Sequence, residues 1–421
     1  MTFYRKTELP NGLRIISEEI PHLRSVAVGV WVVSGSRYEA AEVAGVSHFL
    51  EHLLFKGTER RSAREIAQAM DAVGGQLNAF TGKEYTCFYA KVLDQHLPLA
   101  LDLLADMLLC SRMDAADIQK EKGVIVEEIK LYEDTPDELV HDLFTQAVWE
   151  RHPLGRAILG TAQTVEGLSG EAIGEYYRCR YAPGNMVVAA AGHLNHDRLV
   201  EEVARLFEGF RRPTVRPQVQ PPRNQSGVLV RPKDTEQVHL CLGTPGVSHD
   251  DAARYPLHIL NTILGGGSSS RFFQEIREER GLAYSVYSYE TTYKDTGLFT
   301  VYAGMSPRYV REVVDIITRE LEAVRREGIR PEELARAKEQ LKGNLVLGLE
   351  SSSSRMSRLG RQELCLRQVE SPDEVIAAID AVELDQVREL AASLLRPEEL
   401  ALAAIGPVPK ELDLPGMLRP C

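Results

Sequence analysis

The chain has 421 residues, of which 44% are hydrophobic, and it carries a formal net charge of −12 at pH 7. Its mean hydropathy of −0.20 is typical of a soluble globular protein, and no apolar stretch reaches the roughly 18 residues that a membrane-spanning helix needs. The acidic charge argues against nucleic acids and anionic membranes as partners. The length predicts two or more domains, because one hydrophobic core rarely serves so long a chain.

The cysteines and the first residues bear on the cellular location. Six cysteines are scattered along the chain without any C-x-x-C spacing, as is usual for reduced residues in a cytoplasmic protein. Residues 1–6 lead into a strand-like segment at 13–16 without the apolar core of an export signal. We therefore expect a cytoplasmic protein, and a removed transit segment before Met1 is the alternative.

Short segments of alternating apolar residues predict strands in the first half of the chain. They lie at residues 13–16, 26–33, 87–92 and 186–191, and an apolar run at 97–109 predicts a helix. Antiparallel sheets with helices packed on one face account for such a mixture. The predicted fold class is therefore α+β.

The strongest functional signal is the pentapeptide at residues 48–52, which reads HFLEH. In a helix, His48 and His52 share one face and can bind one cation, while Glu51 borders that face and can reach a water molecule. This inverted H-x-x-E-H spacing is a signature of zinc hydrolases. Two histidines that share a face by chance are the alternative. The apolar flanks at 49–55 argue against chance, because buried imidazoles need polar partners.

A second segment, at residues 74–82, reads GGQLNAFTG. The flanking glycines and the alternating residues between them predict an exposed strand. An exposed edge strand can bind an extended peptide by strand addition. The alternative is an ordinary edge strand with no role in binding.

A third segment, at residues 117–132, predicts a helix with two acids near the centre of its apolar stripe. These acids are Glu121 and Glu128. A catalytic zinc ion usually has three protein ligands, so Glu128 is the candidate for the third ligand. Glu121 would orient a ligand from one layer further away. The alternative is that both acids reach solvent or pair with Lys or Arg. The residues of the predicted stripe are Val124, Ile125, Ile129, Leu131 and Tyr132.

A proline-rich segment divides the chain. Residues 211–226 contain four prolines and no apolar periodicity, which predicts a stiff linker. The predicted domains are therefore 1–210, the linker 211–226, and 227–421.

The two halves repeat at a period of roughly 210 residues. Segments 26–32, 47–54 and 116–120 of the first half correspond to 237–242, 257–264 and 332–336 of the second. The repeat keeps the apolar framework but loses the polar residues of the first half. We therefore expect one metal site per chain. In the second copy, Asn261 and Thr262 replace Glu51 and His52, and Ala337 and Asn344 replace Glu121 and Glu128.

The chain resembles the insulinase-like metallopeptidases, in particular the short-chain branch that includes mitochondrial processing peptidase and its bacterial relatives. The resemblance runs in order along nearly the whole chain, through six motifs. These motifs lie at residues 9–13, 45–52, 121–128, 153–156, 181–186 and 277–284.

The resemblance implies a role for each residue of the site. The residues matching His48, His52 and Glu128 bind one Zn²⁺ ion, the one matching Glu51 is the general base, and the one matching Glu121 supports the site. It also selects the residues that contact substrate: Arg277 and Tyr284 as catalytic residues that stabilise the oxyanion, and Asn78, Ala79 and Phe80 as the substrate-binding strand.

The resemblance also implies the architecture and the activity. Each chain would form two related domains, each a mostly antiparallel sheet under helices. The chain would be a zinc endopeptidase or oligopeptidase that encloses short or unfolded peptides in a clamshell chamber. It would form a homodimer, or a heterodimer with a homologous chain, with Arg277 and Tyr284 acting across the subunit interface.

Two other functions compete with this interpretation. One is a non-catalytic core or partner subunit of a processing-peptidase-like assembly, which typically has a broken zinc motif. The other is a peptide-binding protein with a structural zinc ion, which would need a fourth protein ligand. The motif at residues 48–52 is whole, and the sequence offers no fourth ligand.

Overall fold

The computed structural model describes residues 3–418, which divide into two compact units. Unit 1 contains the chain up to Lys130, Ala157–Val219 and Leu347–Ser371. Unit 2 contains Leu131–Arg156, Gln220–Val346 and the chain from Pro372 onward. One division falls between Val219 and Gln220, inside the segment predicted as a linker, where residues 210–227 form neither helix nor strand.

Unit 1 contains a six-stranded sheet in the order β1-β2-β6-β3-β5-β4. The pair β2–β6 is parallel and the other neighbours are antiparallel, so β4 forms an edge of the sheet. The strands are β1 (Arg5–Glu8), β2 (Arg14–Glu19), β3 (Ser25–Val32), β4 (Gln76–Thr81), β5 (Thr86–Leu93) and β6 (Met186–Gly192).

Helices cover one face of this sheet and form the main core of unit 1. Alternate residues of β3, from Val26 to Val32, point into that core and are fully buried with Phe49, Leu50 and Leu104. This alternation is the pattern that predicted the strand. The helices of the first half of the chain are α1 (Val46–Leu54), α2 (Ala63–Asp71), α3 (Leu97–Cys110), α4 (Ala115–Glu133), α5 (Pro136–Val148), α6 (Ala162–Gly167), α7 (Gly170–Arg180) and α8 (His196–Phe207).

Unit 2 contains a five-stranded sheet in the order β7-β11-β8-β10-β9, in which only β7–β11 is parallel. This order repeats that of β2-β6-β3-β5-β4 in unit 1. The predicted fold class, α+β with two related and mostly antiparallel domains, is confirmed. The strands are β7 (Val228–Pro232), β8 (Val238–Gly246), β9 (Ala283–Thr292), β10 (Gly297–Met305) and β11 (Ala401–Gly406).

The units differ from the predicted domains in two exchanged segments. Helix α5 packs its apolar face on β8 and β11 of unit 2, where Val140 and Phe144 are fully buried. Helix α12 packs on β3 and β6 of unit 1, where Met356 and Leu359 are buried beside Trp31. Each sheet is therefore covered on its second face by a helix from the other half of the sequence. The remaining helices are α9 (Arg254–Gly265), α10 (Val310–Glu327), α11 (Pro331–Gly348), α12 (Ser352–Cys365), α13 (Pro372–Ala381), α14 (Leu384–Leu394) and α15 (Leu414–Met417).

Within residues 3–418, none of these helices combines the length and the apolar character that crossing a membrane requires.

Candidate metal site

Helix α1 begins at a closely defined turn. Gly45 precedes the helix with a φ of 96°, and a Cβ atom there would lie 2.7 Å from the carbonyl oxygen of Leu159, so only glycine fits. The buried carboxylate of Glu39 accepts hydrogen bonds from the backbone N–H groups of Gly45 (2.7 Å) and Ser47 (2.8 Å). An acid at this end satisfies free N–H groups and the helix dipole. The turn thus fixes the helix directly before His48.

The two histidines of α1 face the same side, as their spacing predicts. His48 is buried, His52 is three-quarters buried, and their ring centroids lie 4.7 Å apart. The apolar residues between and after them are buried in the core of unit 1. The helix therefore cannot rotate to expose the histidines without exposing that core.

Helix α4 brings Glu128 to the two imidazoles. Its carboxylate oxygens lie 3.6 Å from Nε2 of His48 and 3.4 Å from Nε2 of His52. In the described part of the chain, these three residues form the one group of His, Cys, Asp or Glu side chains with ligand atoms close enough to share a metal ion. The group contains no cysteine, so it is not a thiolate site.

The three donors fit a zinc ion in spacing and in charge. Two ligand atoms each about 2.0–2.1 Å from a tetrahedral zinc ion lie about 3.3–3.4 Å apart. The two nitrogen–oxygen distances of 3.6 and 3.4 Å are close to this value, and the three ligand atoms all lie within 4.8 Å of one another. Burial, together with the nearby His52, lowers the pKa of His48 to about 3. His48 is therefore neutral near pH 7, and a neutral imidazole is the form that binds a metal.

Glu51 lies on the same helix, with its carboxylate directed to the edge strand β4. The hydroxyl of Thr81 donates a hydrogen bond of 2.6 Å to Oε2 of Glu51. Burial raises the pKa of Glu51 above the usual value for glutamate, and this hydrogen bond acts in the opposite direction. A raised pKa suits a residue that accepts and returns a proton. The sequence analysis did not identify Thr81.

Glu121 lies behind the imidazole of His52. The residue is completely buried, and Oε2 lies 3.4 Å from Nδ1 of His52. Its other oxygen lies 2.8 Å from Nζ of Lys56, which follows α1. Glu121 therefore connects a candidate ligand to a lysine that the sequence analysis missed. The spacing could have indicated Lys56, because it lies four residues after His52, in a partly exposed turn.

The predicted apolar stripe of α4 is wrong at two positions. Val124 is 43% exposed and Leu131 is 70% exposed, whereas Ile125 and Ile129 are buried as predicted. The buried face is narrower than predicted, and its buried residues are Ile118, Glu121, Ile125 and Ile129. The stripe that identified the two acids is thus formed mainly by isoleucines.

Lys56→Met is expected to weaken zinc binding about 10- to 100-fold, which is the usual cost of losing a residue that supports a ligand. Without Lys56, Glu121 would stay buried without its cation and would hold the His52 ring less firmly. A chelator competition titration measures the affinity. Lys130→Met is the matched control, because this exposed lysine of α4 pairs with Glu127. An unchanged zinc affinity in Lys56→Met would show that Lys56 does not support the metal site.

Three residues of the predicted substrate strand lie on β4. The strand is at the sheet edge, as residues 74–82 predicted. Ala79 faces the core, whereas Phe80 faces the other side and is 38% exposed. The Phe80 ring contacts the rings of Trp31, Tyr85 and Tyr89, and the side chain of Asn78 accepts a hydrogen bond from the backbone N–H of Ala79. Phe80 and these neighbouring rings thus give an aromatic platform next to the edge of the sheet.

Arg277 and Tyr284 lie together in unit 2. The guanidinium carbon of Arg277 is 5.1 Å from the centre of the Tyr284 ring and 4.8 Å from that of Phe273. Tyr284 is 78% exposed at the start of β9. The two side chains are therefore in contact within unit 2, and their role as donors to an oxyanion stays a prediction.

The second copy of the motif in unit 2 has a different polar pattern. On α9, the side-chain oxygen of Asn261 accepts a hydrogen bond of 2.6 Å from the hydroxyl of Ser288, and the hydroxyl of Thr262 donates to the carbonyl of His258. Ala337 of α11 is buried in the apolar core of unit 2. The polar groups of Asn261 and Thr262 are thus paired within unit 2, and these two residues form no three-residue cluster like that of unit 1 among the described residues.

Comparison with known proteins agrees with this division of the chain. Residues 14–162 match the family described as insulinase (peptidase family M16), and residues 167–341 match the peptidase M16 inactive domain. A protein of Bacillus subtilis named as an uncharacterized zinc protease is 46% identical over 94% of this chain and 97% of its own length. A protein of the same description in Streptomyces coelicolor is 46% identical over 96% of this chain and 90% of its own length.

Two solved structures share the fold. A peptidase M16 inactive domain from Pseudomonas fluorescens superposes with a TM-score of 0.90 at 19% identity, covering 96% of this chain and 98% of that one. A protease from Helicobacter pylori superposes with a TM-score of 0.91 at 22% identity, covering 96% and 99%. Together with the near full-length relatives at 46% identity, the matching domains confirm the resemblance found in the sequence. The chain belongs to the insulinase family of peptidases, family M16.

Proposed function

We propose that this protein is a zinc-dependent endopeptidase or oligopeptidase that hydrolyses short or unfolded peptides. The observation that carries the proposal is the convergence of His48, His52 and Glu128 within ligand distance, with Glu51 on the same helix. These residues would hold one Zn²⁺ ion per chain. The names of the relatives, which are called zinc proteases, support the choice of metal.

Each residue of the site has a separate task in this proposal. A bound zinc ion supplies Lewis-acid polarisation of the substrate carbonyl and lowers the pKa of water. Glu51 accepts a proton from the attacking water and passes it to the leaving amine. Glu121 holds the ring of His52 in its orientation through Nδ1. The buried position of His48 keeps its imidazole neutral and available as a ligand.

The edge strand β4 gives the proposed site for the peptide backbone. An extended peptide added to this edge would exchange main-chain hydrogen bonds with alternate residues of the segment Asn78, Ala79 and Phe80, namely those whose N–H and C=O groups point away from β5. Its side chains would alternate between the α1 side of the sheet and the aromatic platform of Phe80. Strand addition explains the proposed preference for short or unfolded substrates, because a folded protein has few free extended segments.

The remaining parts of the proposal come from the family resemblance. Arg277 and Tyr284 are the proposed donors to the oxyanion, acting in a clamshell chamber of a homodimer or of a heterodimer with a homologous chain. The match of residues 167–341 to an inactive domain is compatible with this division, because that range contains Asn261 and Thr262. The cytoplasm is the proposed location.

Removal of the metal is expected to abolish cleavage, and added zinc is expected to restore it. The purified chain is assayed with internally quenched fluorogenic peptides after dialysis against a chelator, and then with stoichiometric Zn²⁺. Products are identified by mass spectrometry to separate internal cleavage from removal of end residues. The proposal fails if the zinc-loaded chain cleaves no peptide of a diverse library, or if the metal-free chain cleaves equally well.

A further inference from the structure

One hydrogen bond connects the candidate general base to the candidate substrate strand. Thr81 is the last residue of β4, and its hydroxyl lies 2.6 Å from Oε2 of Glu51 on α1. The hydroxyl of Thr86, across the strand pair, lies 3.3 Å from that of Thr81 and 2.9 Å from the carbonyl oxygen of Ser34. Two oxygens, Oε2 of Glu51 and Oγ1 of Thr86, thus lie around the hydroxyl of Thr81, which has a single proton.

The direction of these hydrogen bonds follows from the donors present. The Ser34 carbonyl can only accept, so Thr86 donates its one proton to Ser34. The oxygen of Thr86 can then only accept, and Thr81 has one proton to share between Thr86 and Glu51. The shorter distance and the charge of the carboxylate both favour donation to Glu51. The hydroxyl of Thr81 therefore donates its one proton to Oε2 of Glu51.

The two carboxylate oxygens of Glu51 therefore differ in their hydrogen bonding. Oε2 is held by Thr81, and in residues 3–418 the other oxygen receives no hydrogen bond from another side chain. That oxygen is available to accept a proton. The Thr81 hydroxyl also limits rotation of the Glu51 carboxylate, because rotation would break a short, charge-assisted bond.

We propose that Thr81 is a positioning residue that aims the Glu51 carboxylate and couples it to the peptide bound on β4. This inference rests on the proposed function. A peptide added to the edge of β4 restrains the strand that contains Thr81. The restraint passes through the Thr81 hydroxyl to the carboxylate, so the base is best aligned when the substrate strand is in place. Thr81 acts on the chemical step through Glu51 and makes no contact with the reacting atoms.

A merely structural role is the competing explanation, since the same hydrogen bond also fastens α1 to β4. Unit 2 offers a matched case, where the Ser288 hydroxyl on the edge strand β9 donates a bond of 2.6 Å to Asn261 on α9. Asn261 occupies the position that corresponds to Glu51. Ser288→Ala therefore removes a helix-to-edge-strand hydrogen bond from a unit without the metal ligands.

The test compares Thr81→Val, Thr81→Ser and Ser288→Ala in the full zinc-loaded chain. Thr81→Val is expected to lower kcat about 10- to 100-fold, the usual cost of misaligning a catalytic group, with zinc content and KM close to wild type. Thr81→Ser keeps the hydroxyl and is expected to recover most of kcat. Ser288→Ala is expected to lose thermal stability comparable to Thr81→Val while keeping the wild-type kcat.

A binding experiment separates alignment from substrate affinity. A fluorescent peptide should bind with equal affinity to Glu51→Gln and to the double variant Glu51→Gln/Thr81→Val, and their residual cleavage rates should be equal. If Thr81→Val does not fold, Thr81→Ala and Thr81→Ser give the same comparison.

The possible results are distinct. Wild-type kcat in Thr81→Val, equal losses in Thr81→Ser and Thr81→Val, or a matching loss of kcat in Ser288→Ala would each overturn the coupling while leaving the peptidase proposal intact. Absence of cleavage by the wild-type chain would overturn both. The predicted pattern, with loss in kcat and rescue by serine, supports both.

Discussion

Glu51→Gln is expected to lower peptide cleavage about 10²- to 10⁴-fold, the range that a general base contributes, while the protein still binds one equivalent of zinc. Glutamine has nearly the same shape as glutamate, but its amide cannot take a proton from the attacking water. The candidate ligands His48, His52 and Glu128 are unchanged by this substitution. Thr81 can still donate to the amide oxygen of glutamine, so the side chain should keep its place.

The measurement pairs metal analysis of the purified variant with kcat and KM for a fluorogenic peptide. Glu59→Gln is the matched control, because Glu59 is an exposed residue just beyond α1 and its loss should change neither quantity. Wild-type cleavage by Glu51→Gln would eliminate Glu51 as the base. Loss of zinc together with activity would instead assign Glu51 to metal binding, contrary to its hydrogen bond with Thr81.

Local periodicity was sufficient for the parts of the site that lie on one helix. The spacing of His48 and His52 sets their common face once the segment is helical, and apolar flanks predict that the helix is buried. Strand positions were also predictable, because β3 and β6 are short apolar runs of the kind that form strands buried on both faces. The evidence for the third ligand was less direct, since Glu128 comes from a separate helix and was identified only as an acid in an apolar stripe.

Contacts between segments that are distant in the sequence could not be predicted from local periodicity. The exchange of α5 and α12 depends on which sheet each amphipathic helix covers, and both sheets offer similar apolar faces of valine, alanine and leucine. The bond between Thr81 and Glu51 depends on how α1 is placed along β4, which no periodicity fixes. Val124 and Leu131 were predicted to be buried but are exposed. They lie at the margin of the apolar stripe, where the neighbouring elements do not reach them.

Loss of either His52 or Glu128 is expected to abolish metal binding and cleavage together. His52→Ala removes one of two imidazoles and leaves Glu121 buried without its imidazole partner. Glu128→Gln replaces a charged ligand by a neutral amide at the same volume. With two of three ligands, the site should no longer retain zinc against a chelator, and cleavage should fall below detection. Zinc should raise the Tm of the wild-type chain, because a ligand stabilises the state that binds it, and should leave both variants unchanged.

Glu127→Gln provides the decisive comparison, because it makes the same chemical change one residue away on α4. Glu127 is 72% exposed and pairs with Lys130, whereas Glu128 lies against both imidazoles. A helix turns by about 100° per residue, so only one of the two neighbours can face the histidines. If Glu128→Gln binds zinc and Glu127→Gln does not, then α4 presents Glu127 to the metal instead of Glu128. Zinc retained by both variants would leave two histidines as the entire protein ligand set, too few for a catalytic zinc site, and the peptidase assignment would fall with it.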